Sequence, residues 1–204
     1  MITVYGSTPS GNCWKVRQIL ELTKVPFRWV ETDSNGGATR TPEFLAMNPN
    51  GKVPLVELDD GARITESNAI LAHFAEGTPW LPAPGLRRTR VFEWLFFEQY
   101  SHEPYIAVAR FWLAYAPREQ LEAKQHLVPM WHAKGNAALA VMETHLASQD
   151  WFAGRDYSIA DIALYGYTHS AAEGGFDLSH YPAVGRWLAR VEATSGFVPL
   201  SFRF

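Results

Sequence analysis

The feature that most constrains this chain is a change of pattern at about residue 80. Up to that point short apolar strands alternate with helical periodicities; beyond it the strand signals stop and the sequence reads as helix almost throughout. Pro79-Trp80-Leu81-Pro82-Ala83-Pro84-Gly85 marks the change, a proline-rich stretch that fits a domain boundary. With 204 residues and 47% hydrophobic content the chain can bury one large core or two small ones. The expected organisation is a small α/β domain over 1–78, a linker over 79–85 and an all-helical domain over 86–204.

Within the first part, Ile2 to Tyr5 is a strand, Gly6 to Gly11 a turn cluster, and Val16, Ile19 and Leu20 set a helical stripe. Phe27 to Thr32 is a second strand, and a strand-helix-strand unit of this kind predicts two parallel strands. A short helix follows at about Pro42 to Met47. Pro54 to Leu58 and Ala62 to Thr65 flank Asp59-Asp60-Gly61, a hairpin signal. A helix over about Glu66 to Ala75 completes a βαβαββα set. In the second part helices are expected at about 86–115, 118–147, 158–173 and 182–194, with an irregularity in the second where Pro129 removes a backbone donor. Ser158-Ile159-Ala160-Asp161 fits a capping box, with Tyr157 and Ile162 placed as a hydrophobic staple.

Charge and cysteine content narrow the function. A net charge of -3 gives no excess of positive charge for nucleic acid, so no nucleic-acid partner is expected. The single cysteine excludes an internal disulfide framework. Met1 runs straight into a strand, which leaves no room for a leader, and no apolar run reaches the roughly 20 residues of a membrane span. A cytoplasmic protein without a membrane partner is expected. His102 has no nearby His or Cys pattern, and no metal is expected.

Three short segments can carry chemistry. Ser10 lies between a strand and a helix start, where unpaired N–H groups and the helix dipole favour negative charge. Its hydroxyl can cap the helix, or it can donate to a bound thiolate; nothing in the chain would activate it as a covalent nucleophile. Cys13, one turn on, is either a small core residue or a redox thiol without a Cys-x-x-Cys partner. Val53-Pro54 enters a strand, and a cis proline there would turn the Val53 main chain outward toward a ligand's peptide group. Glu66-Ser67 opens a helix directly after a strand, offering backbone N–H groups and a hydroxyl to a carboxylate, and an acidic side chain to an ammonium group.

In order and spacing, these segments resemble the cytosolic glutathione transferases, and the resemblance covers both parts of the chain. Ser10-Gly11-Asn12-Cys13-x-x-Val16 is similar to the bacterial serine-type (theta, delta and beta-like) members. It implies a thioredoxin-like first domain, an all-helical second domain, glutathione as co-substrate and a homodimer. By resemblance Ser10 is the sulfur ligand, with Asn12 and Ser7 as alternative polar groups. Val53 beside cis Pro54 pairs with the cysteinyl part of glutathione, Glu66 and Ser67 clamp the γ-glutamyl end, and Lys52 reaches the glycyl carboxylate. Asn68 stands where several serine-type members carry arginine. The electrophile is expected against the first helix of the second domain, at an aromatic pocket with Tyr100, Tyr105 and Arg110. The expected activity is conjugation of glutathione to small hydrophobic electrophiles, with glutathione-dependent disulfide reduction or peroxidase activity, or a non-catalytic binding role, as alternatives.

Overall fold

The computed structural model describes residues 1–200 and divides into two units, one of residues 1–79 together with 195–200 and one of Trp80–Thr194. The division falls inside the linker expected at 79–85. Residues 195–200 depart from the sequence reading, which put them in the helical domain; the last four residues of that assignment, 201–204, lie outside the described residues. The cause is a buried amide. Gln18 is fully buried and satisfies both ends of its side chain on the returning segment, donating from Nε2 to the Gly196 carbonyl at 2.9 Å and accepting from the Val198 N–H at 2.8 Å. The Trp14 indole N–H adds a bond to the Val198 carbonyl at 2.6 Å.

The first unit contains strand β1 (Ile2–Gly6), helix α1 (Gly11–Thr23), β2 (Phe27–Glu31), α2 (Pro42–Met47), β3 (Leu55–Glu57), β4 (Arg63–Thr65) and α3 (Ser67–Ala75). The βαβαββα order read from the sequence is present, as a four-stranded mixed sheet ordered β2-β1-β3-β4 in a thioredoxin-like arrangement. β1 runs parallel to β2 and antiparallel to β3, with Val4 opposite Trp29 on one side and Val56 on the other. The β3-β4 hairpin turns at Gly61, whose φ of 83° lies in the left-handed region that glycine enters without a Cβ penalty. Helices α1 and α3 pack together. Val4, Val16, Ile19, Leu20, Val56, Ile70 and Leu71 are fully buried, each contributing about 1.5–3 kcal/mol of burial.

One register relation places the site. Leu55 pairs with both Tyr5 and Thr65, so the segment leaving β1, the segment entering β3 and the segment leaving β4 meet at one end of the sheet. Those segments carry Ser10, Val53-Pro54 and Glu66-Ser67.

The second unit is helical, with α4 (Leu86–Phe97), α5 (Glu103–Arg110), α6 (Arg118–Glu122), α7 (Val128–Leu146), α8 (Ile159–Thr168) and α9 (Pro182–Glu192). The helix expected over 86–115 is continuous but widens into π turns at Glu98–His102 and Phe111–Tyr115. Pro104 follows the first of these and has no N–H to give the preceding turn, a sufficient cause for the wider hydrogen-bonding. The single helix expected over 118–147 is corrected. It breaks after α6, passes through a 3-10 turn at Gln125–Leu127 and restarts as α7. Pro129 does not kink a helix interior; it occupies the first turn of α7, where no N–H is required. The 158–173 helix is α8 followed by a 3-10 turn at Ala171–Gly174.

The capping box is formed. Every residue of α8 is buried, and fully buried Asp161 is its anchor. Oδ2 accepts from the Ser158 N–H and hydroxyl at 3.0 Å each, while Oδ1 accepts from the Phe152 N–H at 3.1 Å and the Trp187 indole N–H at 3.0 Å. Burial nevertheless raises the carboxyl to a pKa of about 6, the four donors opposing the shift without cancelling it. Among the described residues no helix is long and apolar enough to cross a membrane.

Candidate functional site

The first wall of the site is the start of α1. Ser10 is its N-cap, in extended backbone conformation, with Oγ accepting from the Cys13 N–H at 3.3 Å and its own N–H donating to the Ser7 carbonyl at 3.0 Å. Because the oxygen serves as acceptor toward the helix, the hydroxyl proton is available to a group outside it. Ser10 is half-buried, whereas Ser7 is buried with its N–H on the Cys13 sulfur at 3.3 Å. Both readings of Ser10 are therefore compatible: the cap bond is made, and a thiolate could still receive the hydroxyl.

Cys13 is settled by its surroundings. It is fully buried, and desolvation pushes the thiol up to about 11 against the opposing hydrogen bonds from Ser10 and the Ser7 N–H. That enclosure favours the core-residue reading of Cys13 over the redox one.

The preceding loop is tied down by a contact the sequence reading did not name. The Thr8 N–H and hydroxyl donate to the two carboxylate oxygens of Glu31 at 2.8 and 2.7 Å, and the Trp29 indole N–H donates to the same carboxylate at 2.9 Å. Partial burial raises the Glu31 carboxyl, but these three donors outweigh it and hold it below the usual range.

The second wall joins α1 to α3. Asn12 Oδ1 accepts from the Lys15 ammonium at 2.8 Å and from the Ser67 hydroxyl at 3.2 Å. The Lys15 ammonium also lies 3.5 Å from Ser67 Oγ and from Asn68 Oδ1. Lys15 is fully buried and was not among the residues singled out from the sequence. Lys15 sits one turn before Ile19 on the core-facing side of α1, but a lone lysine in a helix reads by default as surface, and no local pattern marks it.

The third wall is loop and strand. Val53-Pro54 is cis, as the family resemblance implied. Among the described residues nothing bonds to the Val53 N–H or carbonyl. Asn48 holds the adjacent turn by donating from Nδ2 to the Lys52 carbonyl at 2.7 Å, and the Lys52 side chain is exposed. Glu66 has φ 66° and ψ 111°, left-handed backbone in a residue with a Cβ, which costs on the order of 1 kcal/mol and directs attention to function. Its carbonyl accepts from the Ile70 N–H, leaving the N–H groups at the very start of α3 outside the helical ladder. Glu66 is exposed and Ser67 buried.

The residues predicted for a second substrate differ in their exposure and partners. Tyr100 is 83% exposed on the first π turn, and Tyr105 is half-buried on α5. Arg110 is buried, with Nε donating to Glu173 at 2.9 Å and Nη2 to the Tyr115 hydroxyl at 2.7 Å. A cavity of about 900 Å³ in the second unit, walled by Trp94, Phe97, His145 and Phe152, contains none of the three. Among the described residues no cluster of three His, Cys, Asp or Glu stands ready for a metal ion.

Comparison with known proteins adds the following. Residues 9–76 match the family model of the glutathione S-transferase N-terminal domain, and residues 104–194 that of the glutathione S-transferase C-terminal domain. A glutathione S-transferase crystal structure from Xanthobacter autotrophicus Py2 is 54% identical, superposes with a TM-score of 0.93 and is covered over 97% of its chain by 98% of this one. The Escherichia coli disulfide-bond oxidoreductase YfcG is 28% identical over 95% of this chain and 91% of its own. A glutathione transferase from Burkholderia graminis, crystallised with two glutathione molecules per subunit, is 27% identical with a TM-score of 0.82, over 96% of this chain and 85% of its own.

Proposed function

This chain belongs to the glutathione S-transferase family, and on that premise we propose that it binds reduced glutathione at the Ser10, Val53 and Glu66 end of its sheet and delivers the thiolate to a small hydrophobic electrophile. The observation that carries the proposal is the convergence of three different binding capacities at one sheet end. The unbonded Val53 main chain can pair with the cysteinyl peptide group. The N–H groups at the start of α3, with the Ser67 hydroxyl, suit the γ-glutamyl carboxylate, and exposed Glu66 suits its ammonium. Lys52 is in reach of solvent and of a glycyl carboxylate as a rim charge.

In this reading the cysteinyl sulfur lies at the start of α1. The Ser10 hydroxyl donates to the sulfur and the helix end stabilises its charge, so the thiol ionises near neutral pH. Each unit of thiol pKa lowering corresponds to about 1.4 kcal/mol of thiolate stabilisation. The thiolate then attacks an electrophilic carbon; the carbon–sulfur bond forms as the leaving group departs with its electron pair, or as an activated double bond accepts them and then a proton. Asn12, held by Lys15 and Ser67, positions the helix start and is assigned a supporting role. Tyr105 and Tyr100 remain candidates for electrophile contact, whereas Arg110 is committed to Glu173 and Tyr115.

A second reading is favoured by the relative named as a disulfide-bond oxidoreductase. In it the same glutathione thiolate attacks a disulfide sulfur, one thiolate leaves, and a second glutathione resolves the mixed disulfide to oxidised glutathione. Cys13, protonated and enclosed, takes no part. A homodimer and a cytoplasmic location belong to the proposal as well; exposed Phe96 and Tyr100, one turn apart on the outer face of the first helical run, support the former. Initial rates with glutathione and an aromatic halide, set against those with a small disulfide and an organic peroxide, decide between conjugation and the redox reactions. Glutathione binding without turnover on any of them would instead leave a non-catalytic binding protein.

A further inference from the structure

Glu31 is an exposed carboxylate that water could solvate, yet it is bonded to protein donors from two different segments. It ends β2, opposite Gly6 in the parallel register, and Trp29 stands two residues back on the same face of the strand. The Thr8 N–H donates to Oε1 at 2.8 Å, while the Thr8 hydroxyl and the Trp29 indole N–H donate to Oε2 at 2.7 and 2.9 Å. Gly6 leaves the Trp29 ring room against the end of β1, where a Cβ would overlap it. The Thr32 N–H donates to the Gly6 carbonyl at 2.7 Å, which carries the strand pairing up to the point where the loop departs. What this clamp holds is the turn into α1. Thr8 and Pro9 are its central residues, the Ser10 N–H closes it on the Ser7 carbonyl at 3.0 Å, and Ser10 then caps the helix.

We propose that Glu31 is a positioning residue for the sulfur site, grasping Thr8 from β2 so that the turn presents the Ser10 hydroxyl to the thiolate of glutathione. The inference rests on the glutathione-binding reading above and names the residue that orients its hydroxyl donor. Two charge-assisted bonds to one residue of the turn fix its orientation as well as its place. Pro9 follows directly, and its locked φ limits the freedom of the chain between Thr8 and Ser10. A misplacement of about 1 Å at a reacting centre can cost about 100-fold in rate, so a loosened turn should be visible in turnover. The charge of Glu31 acts in the opposite sense. Burial dominates the rise of the Cys13 thiol at this helix end and the Glu31 carboxylate adds to it, so its field disfavours a thiolate there. Geometry and field therefore predict changes of opposite sign when Glu31 is removed.

The test uses the full chain carrying Glu31→Ala, Ser10→Ala or both, with ultraviolet titration of the bound glutathione thiol and steady-state rates on whichever aromatic halide or small disulfide the wild type turns over. Glu31→Ala is expected to move the bound thiol toward the pKa of free glutathione and to lower kcat about fivefold or more, with KM for glutathione within about threefold of wild type. In the Ser10→Ala background the same change should cost less than about twofold, because the group it positions is gone. A bound thiol that ionises more readily in Glu31→Ala would assign Glu31 to its field alone. A lower melting temperature with unchanged thiol pKa and kcat would make it merely structural, and an equal loss in both backgrounds would show that it does not act through Ser10. Each of these overturns the proposal while the glutathione site stands. Absence of glutathione binding by the wild-type chain, or a Ser10→Ala chain with unchanged thiol pKa and turnover, would instead overturn the underlying reading, and this one with it. Should Glu31→Ala fail to fold, Glu31→Asp carries the test, since it keeps the charge and withdraws the carboxylate by one methylene. A loss in kcat of about threefold or more is expected there, and full activity would overturn the positioning role.

Discussion

Cys13 and Ser10 face each other across one turn of α1 and divide the work that either could have done. The Cys13 thiol is fully enclosed, raised to about 11 by burial, and accepts the Ser7 N–H. Cys13→Ala is therefore expected to keep both conjugation and disulfide reduction within about twofold of wild type. It should lower stability by about 1–2 kcal/mol, chiefly by leaving that buried N–H without an acceptor. Rates and urea melts on the purified variant check both parts; loss of disulfide reduction alone would restore a redox role to the thiol. Lys52 offers a contrast in magnitude. Its exposed charge predicts that Lys52→Ala raises the Kd for glutathione only a few-fold, with an effect that fades in high salt. The cap at Ser10, the strand entry at Val53-Pro54 and the helix start at Glu66-Ser67 were legible in the sequence because they are local features, written in adjacent residues. Lys15 was not, since its environment is made by Ser67 and Asn68, more than 50 positions away, and a lysine on a helix reads by default as surface.

At the scale of elements, α8 is the clearest case of local sequence fixing a buried structure. The Ser158-to-Asp161 box is formed as its spacing predicts, and Asp161 also ties in Phe152 and Trp187, contacts no local pattern could announce. Burial raises the Asp161 carboxyl from its ordinary 3.8 to about 6, so between those values the folded chain holds a proton that the unfolded chain has released. Its stabilising contribution is complete below about pH 3.8 and declines as the pH rises through about 6. Urea melts of wild type and Asp161→Asn at pH values across this window should show the wild type losing stability relative to the variant as pH increases. A difference that stays flat, or grows in the opposite direction, would contradict the assigned shift. Asp161→Ala is expected to cost about 3 kcal/mol or more at any pH, because it leaves several enclosed donors without an acceptor. The break between α6 and α7 was the element the sequence did not reveal. Both sides are strong helix formers, and Pro129 read as an irregularity because nothing local distinguishes a proline inside a helix from one in its first turn.

For the molecule as a whole, the two sequence patterns on either side of residue 80 correspond to two compact units, and the boundary was legible because strand and helix periodicities differ. The return of residues 195–200 to the first unit was not, since it depends on a buried glutamine near the other end of the chain. Phe96 and Tyr100 are exposed on the first helical run of the second unit, which makes that run the surface on which to test the proposed self-association. Phe96→Glu is expected to shift sedimentation from dimer to monomer, whereas a monomeric wild type would remove the dimer from the proposal. In the proposed function, the Ser10 end of α1 ionises the thiol of bound glutathione. Ultraviolet titration of the thiolate in the glutathione complex, compared between wild type and Ser10→Ala, addresses it directly. The bound thiol should ionise at least one pH unit below free glutathione in wild type and return most of the way in the variant, with turnover falling by about tenfold or more. An identical thiol pKa in both proteins, with unchanged turnover, would contradict it.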